Sequence, residues 1–471
     1  MRPRPSQQPP EDRFETEPVE AVGISEVLGA LSFALDLTEG QPFGHVLRTC
    51  LIGTTLGERA GLTLQERRDL YYALLLKDVG CSSNAARISE LFGGDDRAVK
   101  RELRRLDWSA GLETAGQIVR SAAPRASWFE RARRFAVLAS SGSRAARELV
   151  AARCERGSAI VLDLGFGQAV AKGVAGLDER WDGRGQPNGV SGSGIPILSR
   201  VMSLAQTMEV FATIEGPRAA IEVARARRGT WFDPMLVEIA EGLEPDLARL
   251  AETDDWGLQH AVSQVEPGDA MLLAGPGALD RIASAFAQVV DAKSPYTAHH
   301  SRRVTEFVVR MADYMGLPAE EIVDLQRAAL LHDLGKLSVP NSVLDKPGPL
   351  TPSEWETMRL HPYYTQRILD RVRAFQSLAF VASSHHERLD GRGYFRGLRG
   401  PQVPFGARIL AVADVYEALT SERPYRPALA PEVALATMDR DRGTSLAGDC
   451  LEALEYVVQQ GEDREDEAGA A

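Results

Sequence analysis

"LLKDVG" at residues 75–80 is written almost again as "LLHDLG" at 330–335, with Lys77 standing where the second copy has His332. A shift of 255 residues extends the match. It places Asp36 on Asp291, His45 on His300, Gly61-Leu62 on Gly316-Leu317, Glu66 on Glu321 and Asp78 on Asp333. A second shift of 208 is set by "ERWDGRG" at 179–185 and "ERLDGRG" at 387–393, and it places Pro196 on Pro404 and Arg200 on Arg408. The two shifts, 255 and 208, differ by 47, so the first copy carries that much extra chain in its middle. Such a repeat predicts two structural units. The boundary is expected at "VEPGDAMLLAGPGA", 265–278, where Gly and Pro cluster.

The texture between the chain's ends is helical. "RIASAFAQVV" and "SRRVTEFVVRMADYMG" space apolar residues three and four apart, and alternating strand patterns are few. Gly316 closes the second of these, and "LPAEE" opens the next helix with acidic residues in its first turn. An all-α chain follows, with a first unit at 21–265 and a second at 275–460. The Pro- and charge-rich 1–20 and the acidic 461–471 read as disordered tails. At 471 residues two or three domains are the natural count.

Composition removes several function classes. With 54 basic against 66 acidic residues the net charge is −12, which argues against binding a nucleic-acid polymer or a membrane surface, so an anionic ligand must meet a local positive site. No apolar run is long enough to span a bilayer. The four cysteines have neither CxxC spacing nor disulfide-scaffold density, which fits reduced thiols in the cytoplasm. "IVLDLGFG" at 160–167 has the GxG spacing of a nucleotide-binding turn, but the alternating strands and helices such a fold needs are missing.

The histidines separate the copies. Six of the eight lie between 299 and 386, as His299-His300, His332, His361 and His385-His386, with Asp333 and Asp414 beside them in the sequence pattern. Imidazoles and carboxylates in such a set suit first-row divalent metals, and a carboxylate can bridge two of them. Over about 285–440 the chain resembles the HD-GYP phosphodiesterases of the HD metal-dependent phosphohydrolase superfamily. The resemblance is carried by "SPYTAHHSRRV", "LLHDLGKLSVP", "LDKPGPLTPSEWETMRLHP", "HHERLDGRGYFRGL" and "ARILAVADVYEALTSERPYR".

The resemblance implies two tandem HD-type helical domains, the N-terminal one degenerate and regulatory. It implies His300, His332, Asp333 and Asp414 as ligands of one metal, and Asp333, His361, His385 and His386 as ligands of the other, with Asp333 as the bridge. Iron and manganese are the metals common in the family. His299 sits where the family has glycine, and Tyr296 where some members place a third-metal glutamate, so two metals are expected. Two cations roughly 3.5 to 4 Å apart generate hydroxide near neutral pH and hold phosphoryl oxygens. Lys336, Tyr394, Arg423 and Arg426 are the implied substrate contacts, with Asp333 and Lys336 as the catalytic pair. The name-giving Gly-Tyr-Pro is Gly393-Tyr394-Phe395 here. The expected substrate is cyclic di-GMP, opened to pGpG and onward to GMP. The alternatives are another cyclic dinucleotide or nucleotide, and a non-catalytic receptor.

In the first copy His300 and Asp333 persist as His45 and Asp78, while His332, His361, His385, His386 and Asp414 become Lys77, Arg153, Leu177, Asp178 and Gln206. No two-metal site survives those changes. Lys77, with Arg153 as a second candidate, is expected to replace the lost metal charge beside Asp78. A copy freed from catalysis can serve as a packing partner, a sensor, or a surface for a homodimer or signalling partner.

Overall fold

The computed structural model describes residues 22–92, 95–103, 147–268 and 273–469, the side chains of Leu103, Leu273, Ala274 and 461–469 aside. The chain is helical, as the apolar spacing predicts. Strand pairing among the described residues amounts to one ribbon, Val22–Gly23 antiparallel to Leu273–Ala274. Each strand leads into a long helix, Ile24–Glu39 in the first half and Pro276–Asp291 in the second, so the ribbon joins the starts of the two halves. The expected tail 1–20 lies outside the described residues, and of 461–471 the structure describes the final helix, Gly448–Gly469.

Helix Ile24–Glu39 buries 13 of its 16 residues, the behaviour of a helix that is apolar nearly all round and must be covered on every side. Its own half covers it with helices His45–Arg59, Leu64–Leu76 and Asp255–Gln264. The second half covers it with the 3₁₀ turn Leu334–Ser338 and helix His361–Leu369. Reciprocally, Pro276–Asp291 touches the turn Cys81–Asn84 of the first half. One apolar cluster runs through both halves. Polar contacts also cross: Asp96 accepts from the Asn341 backbone N–H at 2.9 Å and lies 3.7 Å from the Lys293 ammonium.

Residues related by the two shifts make matching contacts. Asp36 accepts from the backbone N–H of Val46 at 3.0 Å, and Asp291 from that of Ser301 at 3.3 Å. Glu179 gathers the N–H groups of Asn188 and Val190, and Glu387 those of Arg396 and Leu398. Gly80 and Gly335 pass so close to the next element that a Cβ on either would overlap the carbonyl oxygen of Arg153 or His361. Those glycines let the Asp-x-Gly turn approach the chain that follows.

Lys77 is fully buried and ion-pairs with Asp78, while its Nζ stands 3.0 Å from His45 Nε2. The other ring nitrogen of His45 meets the Glu209 carboxylate. Burial keeps His45 below its usual pKa despite that carboxylate, which fits a neutral ring whose Nε2 accepts from the ammonium. One cation on a flexible stem thus satisfies the lone pairs of His45 and Asp78. Arg153, the second candidate, pairs with Asp178 instead. Removing Lys77 would strand Asp78 in the core. Lys77→Ala is therefore expected to cost about 3 kcal/mol or more, with partial recovery in Lys77→Ala/Asp78→Ala, measured by chemical unfolding.

His299 is the one non-glycine with positive φ among the described residues, at 64°, and its partner by register is Gly44 at 84°. The Cβ of an L-residue is crowded in that region, which gives a physical reason for glycine at this place. His299→Gly should raise stability by about 1 kcal/mol, read as an upward shift in Tm, without changing metal content.

Candidate metal centre

Five elements of the second half deliver the expected ligands to one place. His300 opens helix His300–Tyr314, His332 and Asp333 end helix Ala319–Leu331, and His361 opens helix His361–Leu369. His385 and His386 follow helix Gln376–Ala382, and Asp414 lies inside helix Phe405–Thr420. Helix ends leave carbonyls without intrahelical partners, and three of the histidines use them. Nδ1 of His332 lies 2.7 Å from the Ala329 carbonyl, that of His361 2.8 Å from Met358, and that of His385 2.6 Å from Ala382. A carbonyl only accepts, so each Nδ1 carries a proton, and in the neutral rings of His361 and His385 Nε2 presents a lone pair.

Those lone pairs converge. Nε2 of His361 and of His385 face each other at 3.3 Å with no proton between them. Asp333 Oδ1 stands 3.4 Å from His361 Nε2 and 3.7 Å from His385 Nε2. Its Oδ2 stands 3.4 Å from His300 Nε2 and 3.3 Å from His332 Nε2. Asp414 Oδ1 completes the second group, 3.2 Å from His300 Nε2. The two oxygens of one carboxylate thus serve two separate sets of nitrogens. His300 Nε2, His332 Nε2 and Asp333 Oδ1 are buried without a hydrogen-bond partner, which is costly unless a proton or a metal ion takes up their electron pairs. The donor set fits a pair of divalent ions, and three overlapping groups here have ligand spacing: His361, His385 and His386; His300, His332 and Asp333; His332, His385 and Asp414.

The electrostatics divide the same way. Burial pulls down the pKa of His361 and His385, and that of His386 to about 4, so these rings are neutral donors. Burial opposes charge on His332 too, but the Asp333 and Asp414 carboxylates lift it to about 9. Asp333 stays ionised against its burial because His332 and Lys336 stand beside it. In the first half lysines tie up the buried carboxylates: Asp78, which corresponds to Asp333, by Lys77, and Glu39 by Lys100 at 3.4 Å.

Of the expected substrate contacts, Lys336 places its ammonium 2.5 Å from Asp333 Oδ2, and the Tyr394 ring stacks on His386 at 4.2 Å. Arg423 reaches Glu417 at 3.0 Å. Arg426 differs from the expectation. Its guanidinium donates to the carbonyls of Ala418, Leu419 and Pro427, closing the end of helix Phe405–Thr420 instead of offering a fork to phosphate. The missing proline after Tyr394 is compensated locally. Arg396 ties the loop to the Ser383 carbonyl and the Ser384 hydroxyl at 3.2 Å each, and lies over Phe395.

Glu417 escaped the sequence reading. It binds Nδ1 of His300, accepts from Arg303 and Ser421, and is held down to about pKa 2, burial notwithstanding, by His300, Ser421 and Arg423. The signal was present: Glu417 falls on Glu209, which binds Nδ1 of His45 in the same way.

The sequence matches the HD domain family over residues 135–236 and again over 284–448. It is 41% identical, over 92% of its own length and 94% of the other's, to the 3'3'-cGAMP-specific phosphodiesterase 3 of Vibrio cholerae. The crystal structure of a cyclic GMP-AMP specific phosphodiesterase of V. cholerae, V-cGAP3, superposes with a TM-score of 0.64 at 36% identity, covering 93% of this chain and 98% of that one. The cyclic di-GMP phosphodiesterase response regulator RpfG of Xanthomonas campestris is 40% identical over 36% of this chain and 46% of its own. The chain belongs to the HD domain family, as a metal-dependent phosphohydrolase of the HD-GYP type.

Glu417→Gln keeps the shape but removes the charge that sets the His300 tautomer. It should weaken metal retention about 10- to 100-fold, measured by chelator competition on the folded protein.

Proposed function

We propose that this chain opens a 3'3'-linked cyclic dinucleotide by two-metal phosphodiester hydrolysis in its second half. The observation that carries this reading is Asp333, whose two oxygens face two separate sets of imidazole lone pairs. The ligands are His300, His332, Asp333 and Asp414 for one ion, and Asp333, His361, His385 and His386 for the other. Iron and manganese suit such oxygen and nitrogen donors. When bound, the pair of ions supplies an acidified water and neutralises the phosphoryl oxygens. The protein's own part is to hold the donor tautomers through helix-end carbonyls, to keep the centre dry, and to add the Lys336 charge beside Asp333.

Of the substrates, 3'3'-cGAMP takes precedence over the cyclic di-GMP expected from the sequence. The relative named for 3'3'-cGAMP aligns across both halves of this chain, whereas the likeness to RpfG spans about a third of it. The halves are two copies of one domain, 21–265 and 275–460, the first having exchanged its metals for Lys77. We assign the first copy the role of packing partner, because its central helix presses on the turn that carries Asp333. Four free buried cysteines are in keeping with a reducing cytoplasm, and among the described residues no helix is long and apolar enough to cross a membrane.

The test is turnover with metal quantified. The full chain loaded with manganese, or with iron under anaerobic conditions, should hold two ions and linearise 3'3'-cGAMP faster than cyclic di-GMP. Asp333→Ala should lose both ions and all turnover. Tight binding of either dinucleotide by the metal-loaded protein without product would identify a receptor instead.

A further inference from the structure

Helix Pro352–Arg359 ends two residues before His361 and has no buried residue. It is held from its first turn, by a capping box between Thr351 and Glu354 and by Lys346, whose ammonium lies 2.5 Å from Glu354. The helix adds no buried residue to the core, its end supplies the Met358 carbonyl that holds His361, and its outer face is left to solvent. It displays Trp355, 41% exposed, and Arg359, whose guanidinium lies 5.6 Å from the Trp355 ring and 5.9 Å from the Tyr394 ring. No carboxylate among the described residues pairs with Arg359. Tyr394 meets Trp355 edge-on at 6.5 Å and stacks on His386 on its other side. A row of His386, Tyr394, Arg359 and Trp355 therefore leads from the metal centre to solvent.

One exposed tryptophan proves little, since apolar surface is common on soluble proteins. The repeat supplies the second observation. At the shift that sets His361 on Arg153, Trp355, Arg359 and Tyr394 fall on Arg147, Ala151 and Gln186. The half without the metal ligands thus also lacks both aromatic rings, and its arginine stands one turn earlier. Buttressing of the fold would be needed in both halves. A role in the reaction is needed only in the second.

We propose that Trp355 and Arg359 form a nucleobase subsite of the hydrolytic centre, a base of the cyclic dinucleotide stacking on the Trp355 ring beside the Arg359 guanidinium. The assignment rests on the phosphodiesterase reading above. Stacking on an aromatic ring serves any base, because every base has a π-face, and a planar, weakly hydrated guanidinium extends the same platform. The subsite therefore anchors the substrate and leaves the reacting phosphate to the metals.

The experiment compares Trp355→Ala, Trp355→Phe and Arg359→Ala with the parent in the manganese-loaded full chain, measuring KM and kcat for 3'3'-cGAMP together with metal content. Trp355→Ala should raise KM about tenfold or more while kcat and both ions are retained. Arg359→Ala should raise KM as well, and Trp355→Phe should recover most of the loss. An unchanged KM in Trp355→Ala, or a fall in kcat and metal content alongside it, overturns the subsite. If the parent binds the dinucleotide without cleaving it, the phosphodiesterase reading alone fails, and the subsite stands on the same loss of affinity read as a dissociation constant.

Discussion

A carboxylate buried among helices must be paired, and both halves of this chain are organised around satisfying one. Asp333 and Asp78 occupy the same turn, reached by the same glycine-permitted approach of the following element. In the second half the groups facing the carboxylate are histidine nitrogens whose protons have been drawn to the far side of each ring by helix-end carbonyls. The lone pairs of His361 and His385 then confront each other beside one oxygen of Asp333, while the carboxylates favour a proton on His300 and His332 in the place a cation would take. In the first half a lysine takes the place of one histidine, and the pairing is complete without any ion.

That difference accounts for how the molecule is divided. The proposed metal centre would demand convergence of side chains from five elements, and the second half holds those elements in register. Part of the restraint comes from the first half, whose buried helix Ile24–Glu39 lies against the Leu334–Ser338 turn and helix His361–Leu369. The first half, free of that demand, has kept the contacts that define its fold: the Glu209 clasp on His45, the Glu179 loop anchor and the Asp36 bonds to the start of helix His45–Arg59. It lacks the aromatic residues that border the candidate metal centre in the second half.

The loop after Tyr394 shows how a motif can change without losing its geometry. Phe395 replaces a proline that would restrict the backbone, and the restraint is supplied by Glu387, which accepts two backbone N–H groups, and by Arg396 spread over the Ser383–Ser384 turn. Tyr394 consequently stays stacked on His386. Hydrogen bonding does here what ring closure does elsewhere.

The all-helical fold and the seven residues that converge were legible in the chain itself, because helical spacing and the identity of side chains able to bind a metal are local properties. The Lys77 pairing was legible too, since a buried aspartate keeps its need for a partner after histidine is lost. The second sphere was not. Glu417 reads as one more acidic residue on a helix until its carboxylate is seen on His300 Nδ1, and Arg426 reads as a phosphate clamp until its guanidinium is found closing a helix end. Arg423, Arg426 and Glu417 carry their meaning in direction, and direction belongs to the packed helices. Sequence could name the donors, but only the tertiary structure could decide which ring nitrogens point inward, because helix-end carbonyls and a carboxylate from another helix choose the tautomers.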